Sequence, residues 1–72
     1  MKNQPKENLM KNKLRQKRKD SNLRLIDLAI KSGVGVSTIW MIEQGYEKRM
    51  SLETKKKLAH ALGATESELF GE

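Results

Sequence analysis

The chain has 72 residues, no cysteine and one histidine, His60. A chain this short holds one domain that buries only about 60% of its unfolded surface, and disulfides, thiolate metal sites and a histidine metal cluster are excluded as its supports. The net charge of +6 is uneven: residues 1–24 carry nine basic and two acidic side chains, whereas residues 25–72 carry six and seven. Such asymmetry fits a polyanion partner or a solubilising tail equally well.

Residues 1–8 contain Pro5 and no periodic apolar pattern, and read as a flexible arm ahead of a domain over 9–72. They lack the apolar stretch of a secretory signal. No apolar run approaches the ~20 residues of a membrane span, so no membrane partner is expected, and a lysine-rich chain without cysteine fits the cytoplasm. From Leu9 to Lys19 helix formers dominate. Met10 and Leu14 give a narrow apolar stripe, with Lys17 and Arg18 next on that face and a basic outside. Asp20, Ser21 and Asn22 break the pattern.

A second helix is predicted over 23–32, apolar around much of its circumference: Leu25, Leu28 and Ala29 share one side, Ile26 and Ile30 another. Gly33 ends it. A third runs from Val36 to Gln44, with Ile39 and Ile42 facing inward, and Gly45 stops it. After the loop 46–50, Ser51 caps a fourth helix. There Leu52, Leu58, Ala59 and Leu62 form the expected apolar face, Lys55, Lys56 and Lys57 fall mostly outside, and Gly63 closes the end. Thr65 and Glu68 form a capping box for one last turn, whose Leu69 and Phe70 close the core. With no strand pattern, the fold class is all-α: a five-helix bundle with short connections.

The stretch from Leu25 to Glu43 carries the chemistry. A small residue, Ala29, lets two helices cross closely. Gly33 supplies the backbone conformation of a sharp turn. Ile39 and Ile42 anchor the second helix so that its opposite face stays free. That face can lie in a DNA major groove; by spacing alone, an ordinary helical hairpin also satisfies the pattern.

Residues 14–70 resemble the phage-repressor (Cro/cI-type, XRE) helix-turn-helix family. The matching residues are Leu14, Arg18, Leu28-Ala29, Gly33-Val34, Ser37-Thr38-Ile39 and Ile42-Glu43-Gln44-Gly45. Lys57 to Gly63 and Ser67 to Phe70 complete the match, and Gly45 to Ser51 is similar to a loop of some small bacterial members. The resemblance implies a sequence-specific double-stranded DNA-binding regulator, dimeric on two half-sites about one helical turn apart. It makes residues 36–44 the recognition helix. Val36, Ser37, Thr38 and Met41, with Trp40 beside them, would face the bases: hydroxyls bonding to base edges, Val or Met touching a thymine methyl. It pairs Arg18 with Glu43, holding the guanidinium near a phosphate. Further phosphate contacts would come from Arg24 at the start of the second helix and from Lys48, Arg49 and Ser51 before the fourth. Lysines of the arm and first helix would add charge along the duplex.

The sequence departs from that family in places. Leu25 stands where a glutamine is usual, Gly35 where a serine or threonine caps the third helix, and Val36 where a long polar residue is common. The third helix carries no lysine or arginine. Leu25, Val36, Trp40 and Met41 therefore make the expected DNA face unusually apolar. A protein-interaction module on the same fold, an antirepressor or adaptor, is the alternative. Trp40 is either a ligand contact or a lid over the core. An enzyme is not expected, because His60 has no nucleophile partner and no carboxylate pair is spaced for a cleft. No cofactor, metal or small-molecule substrate is called for.

Overall fold

A computed structural model describes residues 12–46 and 50–71, and five helices run through them: α1 (Leu14–Asp20), α2 (Leu25–Ser32), α3 (Val36–Glu43), α4 (Leu52–Leu62) and α5 (Glu66–Phe70). No strand occurs among the described residues. The arm and the first turn expected from Leu9 lie outside them.

The apolar periodicity explains how the helices meet. Leu14, Leu28, Ile39, Ile42, Leu58 and Leu69 have no exposed surface, and each helix supplies at least one of them. Each such side chain contributes roughly 1.5–3 kcal/mol of hydrophobic stabilisation. Val34, Met50, Ala59 and Ala61 fill the remaining core, and Leu25, Ala29, Leu62 and Phe70 pack against it partly buried. Lys55 lies with its ammonium 5.9 Å from the centre of the Phe70 ring. α2 packs on both α3 and α4, whereas α1 packs on α3 and α5.

α1 runs one residue past the expected end, through Asp20, and three further boundaries differ from the sequence expectation. Asn12 and Lys13 precede α1 rather than belonging to it. The Asn12 side-chain oxygen accepts the Leu14 N–H at 3.0 Å, a local bond that substitutes for helix at this point. α2 starts two residues later than expected, because α1 ends in a Schellman motif. Asn22 takes φ 60°, its N–H donates to Lys19 O at 2.9 Å, and the Leu23 N–H donates back to Arg18 O at 3.1 Å. Leu23 is thus the closing residue of α1, and Arg24, extended at φ −81°, ψ 167°, starts α2. α3 ends at Glu43, one residue earlier than expected, with Gln44 as its C-cap. A further correction concerns Leu52, which is 62% exposed and outside the core face; Met50, from the preceding loop, is buried instead.

Gly33 makes the α2–α3 turn possible. It sits at φ 78°, and its N–H donates to Ala29 O at 2.8 Å. The Val34 N–H then bonds to Ser32 Oγ at 3.2 Å, and Val34 drops into the core. Across this turn the chain bends by 115°, within the range of helix-turn-helix units.

Candidate nucleic-acid interface

The open face of α3 follows from its helical phase. Ile39, Ile42 and Glu43 are buried on one side. Among the others Val36, Ser37 and Trp40 are exposed, and Thr38 and Met41 are half-buried. Val36 is 37% and Trp40 49% exposed. Gly35 begins the helix without a side-chain cap or an acidic residue in the first turn, whereas at the start of α2 the Asp27 carboxylate reaches back to Arg24. All five expected base-contacting residues therefore lie on the described surface of one short helix, within residues 36–41.

Beside that face runs a groove lined by Lys13, Arg15, Gln16, Lys19 and the acidic Asp20 from the α1 side, by Leu25 from α2, and by Trp40 and the following Gln44 from the α3 side. Its cations are exposed. Trp40 lines this groove with half its surface open, which is more than a core lid would leave.

Arg18 and Glu43 meet on the groove's inner side. Arg18 Nε donates to Glu43 Oε2 at 2.7 Å and Nη2 to Oε1 at 3.2 Å, a two-pronged pair. Nη1 donates to Leu23 O at 2.8 Å. The arginine is 8% and the glutamate 3% exposed. One guanidinium thus ties α1, the α1–α2 connection and the end of α3 into a fixed arrangement. Because its donors point inward, its role here is to hold the helices.

Asn12 forms a second tie that sequence reasoning missed. Its Nδ2 donates to Ile42 O at 2.9 Å, fixing the last turn of α3 against the start of α1. The available signal was an asparagine just ahead of a helical stripe, a good helix-start residue read instead as helix interior.

The expected phosphate contacts fare differently. Arg24 is exposed, but its guanidinium is engaged by Asp27, Nε to Oδ2 at 3.0 Å and Nη2 to Oδ1 at 3.0 Å. The Arg24 N–H also donates to Asp27 Oδ2 at 2.8 Å. These contacts, the guanidinium's first, hold the Asp27 carboxyl below its ordinary range. Ser51 Oγ caps α4 by accepting the Thr54 N–H at 3.1 Å. Lys48 and Arg49 lie outside the described residues. On the far side, Lys56, His60 and Glu66 line a shallower depression that the α3 face does not reach.

Two short helices bent through a glycine turn, the second with an open outer face, define a helix-turn-helix unit. The family model described as "Helix-turn-helix" matches residues 14–69, and the chain belongs to this family, of the Cro/cI (XRE) type. It is a family of DNA-binding, regulator-like domains and not an enzyme family. No curated protein and no solved structure gives a significant match to the chain. No single helix among the described residues is long and apolar enough to cross a membrane.

Proposed function

We propose that this protein binds double-stranded DNA sequence-specifically as a transcriptional regulator, with α3 in the major groove. The observation that carries the reading is one continuous surface. The open face of α3, with Ser37 and Trp40, adjoins a groove whose other wall presents Lys13, Arg15 and Lys19. A helix of this width fits the major groove, and cations to one side meet the phosphates that border it. The uncapped first turn of α3 adds oriented N–H groups and a positive dipole end.

In this reading Ser37 and Thr38 bond to base edges or phosphates, and Val36, Trp40 and Met41 make the apolar base contacts. Arg18 and Glu43 keep α3 at a fixed angle to α1, so the basic wall and the reading face stay in register. Lys48, Arg49 and the start of α4 at Ser51 supply further contacts to the DNA backbone. So small a reading surface calls for two copies on half-sites about 34 Å apart.

A fluorescence titration with random duplex at low and moderate salt tests this. Affinity should fall steeply as salt rises, the logarithmic slope approaching about −0.9 for each phosphate neutralised. Replacing Arg15 and Lys19 by Gln should flatten that slope by roughly 1 to 2. Weak binding at both salts would favour the second reading, a protein-interaction module. The exposed apolar surface of Val36 and Trp40 on a helix without a cation is the observation in its favour.

A further inference from the structure

The open face of α3 differs in kind from a surface that reads bases through charged or amide groups. The exposed and half-buried residues of α3 are Val36, Ser37, Thr38, Trp40 and Met41. None carries a guanidinium, ammonium, carboxylate or carboxamide. The side chains that grip guanine edge-on are Arg and Lys; those that grip adenine are Asn and Gln; Glu accepts from cytosine. The only such residue in α3 is Glu43, which is 3% exposed and bound on both oxygens by Arg18. Gln44 follows the helix and lies in the groove toward α1.

We infer that α3 selects its site through thymine 5-methyl groups, so that the preferred half-site is A·T-rich where it faces Val36 and Trp40. This rests on the major-groove reading above. The thymine methyl is the one apolar group on the major-groove edges. Against Val36, Met41 and the indole it exchanges water for apolar contact. A G·C pair there would bring O6, N7 and N4 against surface whose one polar group is the Trp40 indole N–H, a single donor with no acceptor for N4, so most of those groups would lose their water without replacement. Serine and threonine hydroxyls donate or accept, and so tolerate either strand orientation.

Charge complementarity makes the occupant nucleic acid rather than an apolar protein surface. Trp40 lines the same groove as Lys13, Arg15 and Lys19, and those cations would oppose burial against an uncharged partner. A duplex brings phosphates to the lysines and methyl groups to the indole in one docking.

The test begins with the full chain and a pool of duplexes randomised over 20 base pairs. Bound duplexes are selected and sequenced, and each thymine of the winner is then replaced by deoxyuridine, which removes the methyl and keeps the pairing. At least one thymine in each half-site should show an affinity loss of about fourfold on replacement, the worth of one buried methyl group. The Trp40→Ala or Val36→Ala variant should bind the thymine and deoxyuridine forms of that position equally. Both residues are exposed, so either variant serves if the other misfolds.

Selected duplexes that bind tightly but tolerate deoxyuridine at every position would overturn methyl reading while leaving DNA binding intact. G·C-rich winners would do the same. No binding to any duplex at low salt would overturn both this inference and the function on which it rests.

Discussion

Arg18 and Glu43, 25 residues apart in sequence, form a buried two-pronged ion pair with nitrogen–oxygen distances of 2.7 and 3.2 Å. Desolvating both charges is costly, and the geometry and the additional Leu23 carbonyl offset that cost. Removing one partner strands the other. Arg18→Met or Glu43→Leu alone should destabilise the domain by about 3–5 kcal/mol, a large share of the roughly 5–15 kcal/mol available to a small domain. The double variant should be more stable than either single one. Urea denaturation checks this; a double variant as unstable as the sum of the singles would show that the pair has no such coupling.

Gly33 and Asn22 both occupy left-handed backbone, at φ 78° and 60°. Nothing lies within 4 Å of a Cβ built on Gly33, so Gly33→Ala meets only conformational strain and should cost about 1–2 kcal/mol. Asn22→Gly should be neutral or slightly stabilising, whereas Asn22→Val should cost at least as much as Gly33→Ala, being β-branched at positive φ. In thermal melts Asn22→Gly should be the most stable of the three, Gly33→Ala lower, and Asn22→Val no higher than Gly33→Ala.

Acid should weaken the fold through two carboxyls, the exposed Glu68 and the half-buried Asp27. The Thr65 N–H, donating to Glu68 Oε1 at 2.8 Å, and then the charge of Lys17 hold Glu68 below its ordinary value of 4.5. Asp27 is held below 3.8, first by the Arg24 guanidinium. In both cases the folded state binds the proton less readily than the unfolded chain. Their stabilisation is therefore fully present above the ordinary values and is lost as the pH falls through the lower, folded ones. Glu68→Gln should reduce the stability difference between about pH 6 and pH 3. An unchanged difference would mean that the Thr65–Glu68 box contributes nothing in solution.

Asp27 also restrains Arg24 at the start of α2, where a phosphate is expected. The pair lies at the surface and contributes little. Asp27→Asn removes a repulsive charge and frees the guanidinium. Affinity for random duplex at low salt should rise by roughly two- to fivefold, and the salt slope should steepen by about 1. No change in slope would remove Arg24 from the docking surface.

Much of this was legible in the sequence because α2 to α5 announce themselves locally. Gly33 and Gly63 mark their ends, Ser51 and the Thr65–Glu68 box mark their starts, and the buried Leu28, Ile39, Ile42, Leu58 and Leu69 fall at helical spacing. The Arg18–Glu43 pair was legible only through family resemblance, since nothing local links residues 25 apart. Asn22 and Asn12 were not legible in their roles. Asparagine in left-handed backbone reads as a generic break, and the Asn12 tie to Ile42 depends on α1 and α3 lying side by side. Leu52 was misassigned because its spacing from Ala59 suits the buried face, yet it occupies the first residue of α4 and is left in solvent.

DNA binding by this protein depends on the α3 face and the cations of the α1 wall forming one contact surface. Amide and indole chemical shifts of the labelled full chain, followed as a short selected duplex is added, test this most directly. The largest changes should fall on Ser37, Thr38, the Trp40 indole N–H, Arg15 and Lys19, with Lys56, His60 and Glu66 across the molecule nearly unmoved. Shifts concentrated on that far depression, or a Trp40 indole signal unaffected at saturation, would contradict it.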